Sequence, residues 1–575
     1  MKQHIVFLTA VLLSGAGAAA QTINPTVEVT NLFEGSLKGI EKPAQIMSVP
    51  DSVMRFDLDF DYSVSPRPYQ GAYDFQPYMV NMKPQASPYE GKNFFLRAGA
   101  GWTLHPELHL VYTPKTRKGL DINLFVQHNS YFGENRDIEP DATGALVAKD
   151  GTHDGRRGLT RLGLDGRVAT ETSQFAFGLG YKNLFALWPG NTLNGAEASF
   201  RAGSLPGRSR VLYDVGAKLD FSHLKGNGLV GTDLRLDADG SAGTALGGGA
   251  SALLGFSVQY DRNSVLGTST GAFAVIPQYR KVGDRSFVKL GVKVSYLMRP
   301  ETGVNYQQKG QIVYPDVYLS YTLVPEQCVV FLSATGGEII HSWSGLLSQN
   351  PFWEPGSQVF TENTIERVHI SAGLRAGIGS RLQLGLKGGA SLRASQMLDG
   401  FTRSDVSGNA PVFVPRDGLM LYARLDYDWI SDGIRLDGHL DFQKIANPHR
   451  SASYDAWDGQ LFEEAVFQPA LLSGTTRFSY DWKGRIQAGI QCAFATDRTG
   501  SLGTVLPAAS SALAPEPTAL TLPGYVDLGV FAEVAVSRRF SLWAQGGNLL
   551  NQTIQLHPLI AERGPYVTAG LQLTF

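Results

Sequence analysis

The chain ends with Tyr566-Val-Thr-Ala-Gly-Leu-Gln-Leu-Thr-Phe575, a stretch in which apolar and polar or small residues alternate. The apolar residues occupy every odd position, at Val567, Ala569, Leu571, Leu573 and Phe575. Because successive side chains of a β-strand point to opposite faces, this stretch predicts a strand with one apolar and one polar face. In a soluble sandwich the apolar face would meet a core, whereas in a membrane barrel it would meet lipid.

The beginning of the chain favours the membrane interpretation. Residues 1–20 show the three regions of a signal peptide: a polar start with Lys2, an apolar run over 5–13, and small residues up to Ala20. The apolar run is too short to cross a bilayer as a helix. The alternative is an uncleaved apolar N-terminus. We therefore expect an exported protein, and the absence of a cysteine after Ala20 argues against a lipid anchor.

Composition indicates one large β-architecture across the 575 residues. The chain contains 65 Gly, 22 Tyr and 30 Phe, and only 18% of its residues are charged. Mean hydropathy is close to neutral, as expected when lumen-facing residues offset lipid-facing ones. The formal charge of −2 gives no support for a nucleic-acid partner. Two cysteines in so long an exported chain do not make a disulfide framework.

The same alternation recurs from residue 94 onward. Segments with one apolar and one charged or polar face include 121–129, 161–168, 211–221, 288–296, 368–378, 419–429, 434–442 and 526–536. Counting such segments predicts roughly 20–22 strands, and a bacterial barrel is expected to have an even number. We therefore predict an all-β fold: a single large antiparallel transmembrane β-barrel over residues 92–575, in the outer membrane of a Gram-negative cell. Its lumen would be too wide for side chains to fill.

Short and long connections alternate along this region, as they do in bacterial barrels with short periplasmic turns and long outer loops. The predicted short connections are 283–285, 379–380, 431–433, 483–484 and 537–539. The predicted long connections are 133–155, 237–249, 346–362, 395–415, 446–463 and 497–523. Aromatic residues at 341–354 could bind a ligand or another protein, but an aromatic girdle at the membrane interface is the commoner arrangement.

Residues 21–91 form a separate leader. This segment carries eight prolines and lacks sustained alternation, so it is expected to be extended and irregular. We expect it in the periplasm or partly inside the barrel mouth, and a disordered leader is the alternative. Its aromatic residues argue for docking on another surface.

Charged residues on the polar faces are the candidate lumen lining. The candidates are Arg375, Arg424, Asp426, Asp428, Arg435, Asp437 and Asp441. They could set the selectivity of a pore. They could equally form a solvated wall of cross-strand ion pairs that binds no ligand.

The last three predicted strands resemble the end of a TonB-dependent outer-membrane receptor barrel. The resemblance rests on 526–536, on 540–551 with its Asn548-Leu-Leu-Asn551 element, and on the terminal aromatic strand. The resemblance extends over 94–575. Residues 46–50, 61–68 and 99–101 also resemble the plugless receptor-like barrels of Bacteroidetes. The resemblance implies passage or handling of a solute through the lumen.

The leader departs from the receptor pattern. A receptor of this family has an N-terminal plug clearly longer than 21–91, and the leader lacks the plug's Arg-Gly and Asp-Gly-Val segments. Only the segment 26–30, Thr-Val-Glu-Val-Thr, can be likened to a TonB-box. We therefore expect a barrel without a full plug.

No motif predicts an enzyme, a metal site or a cofactor. His105 and His109 do not have zincin spacing, and Pro106 disfavours a helix through them. His128 with Ser130 lacks an identified orienting carboxylate. The expected function is therefore passing or handling a solute, with membrane lipid as one partner. The alternative is a non-transporting barrel subunit of an outer-membrane assembly or export complex, with a periplasmic or lipoprotein partner. The sequence indicates no particular solute or oligomeric state.

Overall fold

The computed structural model describes residues 93–575, except 117–118, 206–210, 227–228, 265–267, 299–312, 405–407, 452–453, 455–456 and 511. The predicted signal peptide at 1–20, the leader at 21–91 and the segment likened to a TonB-box lie outside the described residues. Cys328 and Cys492 are both free thiols. No helix among the described residues is long and apolar enough to cross a membrane.

Twenty-two antiparallel strands form one closed β-barrel, which confirms the predicted fold class. Neighbouring strands of the wall are hydrogen-bonded in sequence order, and β1 pairs with β27 to close the cylinder. The wall strands are β1 (Phe94–Trp102), β2 (Glu107–Tyr112), β3 (Leu120–Tyr131), β6 (Arg157–Ala169), β7 (Ser173–Ala186), β8 (Asn191–Ser204), β9 (Val211–Gly226), β10 (Leu229–Gly247), β11 (Ala250–Asn263), β12 (Thr268–Val282), β13 (Ser286–Met298), β14 (Val313–Val324), β15 (Cys328–Ile339), β16 (Thr364–Ile378), β17 (Leu382–Ser404), β18 (Gly408–Ser431), β19 (Ile434–Arg450), β21 (Leu472–Trp482), β22 (Ile486–Ala495), β25 (Tyr525–Ala535), β26 (Phe540–Gly547) and β27 (Tyr566–Thr574).

The closing seam joins the two ends of the barrel sequence. Phe94 and Phe575 exchange backbone hydrogen bonds of 3.1 and 3.0 Å, and their ring centroids lie 5.8 Å apart. Alternation in β27 is as predicted, because Thr568 and Gln572 are buried while Val567 and Phe575 are more than half exposed. Closure is required in lipid, since hydrocarbon offers no partner to a free strand edge.

Charge on the lipid face of this seam should reduce assembly. Replacing Leu573 by Asp, or deleting Phe575, is expected to lower the yield of folded barrel in heat-modifiable electrophoresis. A charged side chain on the lipid face costs on the order of 2–4 kcal/mol for Lys or Arg at the bilayer middle, and less for Asp or near an interface. Leu573→Ala is the matched control, because it shortens the side chain without adding charge. Equal yields from Leu573→Asp and Leu573→Ala would contradict the expectation.

The two ends of the barrel differ in their connections. One end, called here the turn end, carries both termini of the barrel and all five of the predicted short connections. The other, called the loop end, carries the connections 132–156, 340–363, 451–471, 496–524 and 548–565. Because periplasmic turns are short and outer loops are long, the turn end corresponds to the periplasmic side.

Two of the predicted long connections are wrong. Residues 237–247 continue strand β10, and only 248–249 turn the chain, at the turn end. Their Asp and Gly residues indicated a loop, but the polar side chains belong to the lumen face of a strand. Residues 395–415 are also largely strand, because β17 and β18 pair from Gln396 to Ser404 and from Gly408 to Arg416.

Five further strands form a cap at the loop end. The cap consists of β4 (Glu134–Pro140), β5 (Leu146–Asp154), β20 (Phe462–Phe467), β23 (Arg498–Val505) and β24 (Thr518–Leu522). β20 pairs with the outer part of β17, β23 pairs with β20, and β24 pairs with β23. The β4–β5 hairpin reaches β24 through a bridge between Ala145 and Thr521. The cap thus joins loops that leave the barrel at well-separated strands.

A hydrophobic cluster stabilises the cap. Its buried members are Ile138, Leu146, Phe401, Ala465, Phe467, Leu520, Leu522, Leu559 and Ala561. They come from five different segments of the chain, including the last loop, 548–565. Removing this much apolar surface from water favours one packed arrangement of these loops.

Candidate functional site

Six of the seven predicted lumen residues form an ion-pair ladder on β18 and β19. Arg424 lies 2.8 Å from Asp426 and 3.5 Å from Asp441. Arg435 lies 3.0 Å from Asp428 and 3.4 Å from Asp437. Alternation puts all six on one face, and the register places Arg424 opposite Asp441 and Asp428 opposite Asp437. The side chains are partly exposed, so each pair contributes at most about 1 kcal/mol.

Arg375, the seventh predicted residue, lies on β16 with its guanidinium 5.8 Å from the ring centroid of Phe331. Further along the same strands is a buried charged group that the sequence analysis did not single out. Arg393 is 3.0 Å from Glu366, which also accepts a 2.6 Å hydrogen bond from Ser391. The polar face of β16 was visible in the sequence, but pairing across to β17 was not.

Some of these residues border a cavity of about 910 Å³ along the inside of the wall. Four of the seven predicted residues line it, namely Arg375, Arg424, Asp426 and Asp441. Asp428, Arg435 and Asp437 are not among the lining residues. Other lining side chains are Phe331, Gln349, His369, Lys387, Arg393, Gln396, Asp399, Tyr422, Gln443, Phe467, Gln468, Arg498, Tyr525 and Gln555. The lining therefore combines amides, charges and aromatic rings.

The loop end of the cavity is bordered by residues of the cap and the last loop. Asp399 lies 3.6 Å from Arg498 of β23 and 3.2 Å from His557 of the last loop. Arg498 also donates a 2.7 Å hydrogen bond to the carbonyl of Leu556. These contacts join three distant segments above the cavity. Sequence periodicity carries no signal for them, because Arg498 and His557 lie outside the wall strands.

The connection 340–363 forms an inward loop that packs against β7–β9 and against the loop-end parts of β17 and β18. It contains helix α1 (Trp343–Gln349), whose first turn is capped by the Ser342 hydroxyl. Trp343, Leu346, Leu347 and Trp353 pack against Leu184, Leu193 and Leu224, which belong to β7, β8 and β9. The expected aromatic girdle at the membrane interface is therefore wrong for 341–354, since Trp343 and Trp353 are buried within the barrel.

Polar contacts also bind the inward loop to the wall. Asn191 donates hydrogen bonds of 2.8 and 2.7 Å to the carbonyls of Pro351 and Trp353. Asp233 accepts a 2.8 Å hydrogen bond from the backbone N–H of Ser344. Together with the apolar contacts, they hold the loop against β7–β11, while Trp353 also contacts Phe413 of β18 and Gln349 borders the cavity.

Docking of the inward loop should weaken in acid. Burial, with smaller contributions from the Arg235 and Arg393 charges, lowers the pKa of His341 from 6.5 to about 4. Between pH 6.5 and pH 4, His341 would be protonated when the loop is undocked but neutral when it is docked. The docked state is therefore most stable above about pH 6.5. It should lose about 3 kcal/mol as pH falls from 6.5 to 4. Hydrogen exchange of 343–349 at pH 7.5 and 5.0 measures this change.

His341→Gln is the control for this pH effect. His341 Nε2 lies 2.8 Å from the Thr364 hydroxyl, and a glutamine amide can replace that contact without titrating. The variant is expected to show exchange that depends little on pH after correction for the intrinsic rate. An unchanged acid response in this variant would assign the effect to another group.

The catalytic alternatives gain no support from the geometry. His105 is buried in the β1–β2 turn, where its ring contacts the Thr568 hydroxyl, as expected for a turn rather than a zincin helix. His128 lies 2.9 Å from Ser130, but its other ring nitrogen faces the Thr160 hydroxyl at 2.7 Å rather than a carboxylate. Within the described residues, no three His, Cys, Asp or Glu side chains converge to hold a metal ion.

Comparisons with known proteins identify a fold rather than a family. No protein-family model matches the sequence. No curated protein matches it either. The barrel does resemble solved structures of outer-membrane receptors. The siderophore receptor PirA from Acinetobacter baumannii has a TM-score of 0.57 at 12% identity, over 84% of this chain and 80% of that one.

Two metal transporters show the same likeness. The FrpB iron transporter from Neisseria meningitidis (F3-3 variant) has a TM-score of 0.59 at 9% identity, over 84% of this chain and 82% of that one. The copper transporter OprC has a TM-score of 0.53 at 12% identity, over 84% of this chain and 80% of that one. The chain thus has the barrel fold of siderophore and metal receptors. This agrees, for the barrel, with the resemblance to TonB-dependent receptors.

Proposed function

We propose that this outer-membrane barrel passes or handles a solute through its lumen, along the β15–β19 wall. The observation that carries the proposal is the cavity of about 910 Å³ on that wall. It extends from Gly385, close to the turn end, to Arg498 at the cap. A cavity lined by amides, charged groups and aromatic rings offers both hydrogen bonds and apolar contact to a small molecule.

The fold likeness supports transport over catalysis. The solved structures that resemble this barrel are named as receptors or transporters for siderophores, iron and copper. We propose a solute-handling role of the same general kind, without assigning any of those solutes. We further propose that the leader forms no compact plug of the receptor type, because it is rich in proline and lacks plug-like segments.

A scaffold role is the second candidate, and the cap is the observation that favours it. Its hydrophobic cluster packs loops from several parts of the barrel over the loop end. A barrel closed in this way could serve as a subunit of an assembly or export complex. It would then bind a periplasmic protein or a lipoprotein rather than a solute.

Native mass spectrometry of the full-length protein, extracted in mild detergent, separates the two candidates. The transport proposal predicts a bound small molecule whose occupancy falls in Arg424→Ala and is unchanged in Arg538→Ala, a turn-end control. A stoichiometric protein partner, with no small molecule retained by the wild-type barrel, would support the scaffold and contradict transport.

A further inference from the structure

Ion pairs within the protein compensate much of the charge along the cavity wall. Arg393, Arg424 and Arg498 are among the cationic side chains that line the cavity. Arg393 lies 3.0 Å from Glu366, and Arg498 lies 3.6 Å from Asp399. Arg424 lies 2.8 and 3.5 Å from two aspartates. A solute without net charge can lie along this wall without displacing an ion pair, whereas a charged solute competes with these pairs.

The cap end of the cavity carries hydrogen-bond acceptors that have no donor. The oxygen atoms Gln468 Oε1, Gln555 Oε1 and Asp399 Oδ1 are buried, and none has a hydrogen-bond partner within the described part of the chain. All three residues line the cavity. Gln555 is only 2% exposed, and its amide nitrogen already donates a 2.9 Å hydrogen bond to the carbonyl of Leu146. Because a buried acceptor without a donor is unfavourable, three such oxygens indicate a ligand that supplies donors.

Arg498 of β23 connects the three acceptors. It lies 3.6 Å from Asp399 and donates a 3.2 Å hydrogen bond to the backbone carbonyl of Gln555. The next residue, Thr499, accepts a 2.8 Å hydrogen bond at its carbonyl from the backbone N–H of Gln468. The three residues therefore surround one point at which the wall, the cap and the last loop meet. We call Asp399, Gln468 and Gln555 the acceptor cluster.

Further amides and aromatic rings line the same cavity. They include Gln396, Gln443, Tyr422 and Tyr525. An amide can accept from one hydroxyl and donate to another. The face of an aromatic ring carries partial negative charge and offers apolar surface, so it can pack against the C–H groups of a sugar ring. The lining thus suits a solute that combines many hydroxyl groups with apolar C–H faces.

A second, smaller cavity extends this region into the cap. Its volume is about 190 Å³, and it shares Leu398 and Gln468 with the larger cavity. Thr499 and Ser501 also line it. Gln468 thus borders both cavities, and a solute that passes from the cap into the lumen would contact its side chain.

We propose that the acceptor cluster binds hydroxyl groups of a neutral polyhydroxy solute, such as a short oligosaccharide, where the cavity meets the cap. An ammonium group also supplies donors, but the guanidinium of Arg498, 3.6 Å from Asp399, would repel it. A hydroxyl donates without bringing a charge. The inference rests on the proposed function, because it specifies the class of solute that the cavity takes.

Native mass spectrometry of the full-length protein in mild detergent tests the solute class. The probes are maltotetraose, cellotetraose, mannotetraose and xylotetraose, each at millimolar concentration. At least one of these sugars should form a complex with a single bound molecule. The per-O-methylated form of that sugar keeps the chain of rings but donates no hydrogen bond. It should bind about tenfold more weakly or worse, because the acceptors of the site would remain unpaired.

Gln468→Met is the informative variant. It removes an acceptor that has no partner in the described structure, so the cap should fold as before. The loss of one neutral hydrogen bond should weaken sugar binding about three- to tenfold. Gln460→Met is the matched control, because Gln460 is exposed in the same connection and lines neither cavity. It should bind as the wild type does, and hydrogen exchange of 462–467 should show an intact cap in both variants.

Four results would overturn the proposal. They are the failure of all four sugars to bind, equal binding of the methylated and unmethylated forms, equal binding by Gln468→Met and Gln460→Met, and binding of tetraalanine in preference to every sugar. The last result would assign the cluster to the amide N–H groups of a peptide.

The two proposals fail in different ways. A barrel that ignores every sugar but retains another small molecule from the cell would refute the solute class and leave the transport proposal standing. A barrel that binds a sugar through Gln468 but never conducts would keep the site and refute the route through the lumen.

Discussion

Replacing Glu464 by Ala is expected to release the cap from the barrel wall. Glu464 is buried, lies 2.7 Å from Arg416 and accepts a 2.5 Å hydrogen bond from the Tyr454 hydroxyl. Burial raises the pKa of Tyr454 well above its ordinary value of 10, so the hydroxyl remains a donor. The replacement leaves the Arg416 charge buried without its carboxylate, which costs about 3–5 kcal/mol. Hydrogen exchange in 462–467 and 498–505 should accelerate a hundredfold or more.

The neighbouring residue provides the control. Glu463 forms an exposed 3.9 Å pair with Arg403, so Glu463→Ala should cost at most about 1 kcal/mol. Combining Arg416→Met with Glu464→Leu removes both charges and should restore most of the protection. Similar exchange in the Glu464→Ala and Glu463→Ala variants would show that the buried pair does not hold the cap.

Replacing Trp353 by Ala is expected to detach the inward loop. The side chain is fully buried, its ring centroid lies 5.4 Å from that of Trp343, and its Nε1–H donates a 2.7 Å hydrogen bond to Gln358. Removing so large a buried side chain costs about 3–5 kcal/mol. Exchange in helix α1 should therefore approach that of an exposed segment, while the wall strands keep their protection.

The same replacement at Trp102 is the matched control. Trp102 is 80% exposed on the outside of the loop end, so its removal leaves no cavity in the described structure. Trp102→Ala should leave exchange in 343–349 unchanged. If Trp353→Ala also left it unchanged, the hydrophobic cluster would not be what fixes the inward loop.

The barrel wall could be predicted from the sequence because the pattern that marks a transmembrane strand lies within the strand's own residues. Lipid and lumen impose opposite requirements on its two faces, so period-two alternation marks strands such as β9 and β27 directly. The cap could not be predicted, because it depends on contacts such as the bridge between Ala145 and Thr521, which no local period relates. Glycine and aspartate in 237–249 predicted a loop wrongly, since both are common in loops and on lumen faces.

The candidate site, too, could be predicted where its residues lie on wall strands and not where they lie in the folded loop end. Alternation placed the six charges of β18 and β19 on one face, and the register then determines which of them pair. Lys387 and Arg393 belong to a strand whose polar face could have been read in the same way. Asp399 and Arg498 could not have been paired in advance, because folding of the loop end brings them together. Whether any of the seven predicted residues contacts a solute remains a prediction.

The most direct test of the central claim, that the lumen along β15–β19 is a solute route, is a planar-bilayer recording. The variant carries Glu464→Ala, which should open the cap. We predict discrete conductance steps whose anion preference, read from the reversal potential in a salt gradient, falls when Arg424→Ala is added. A membrane-inserted variant that never conducts would contradict the solute route and leave the scaffold role.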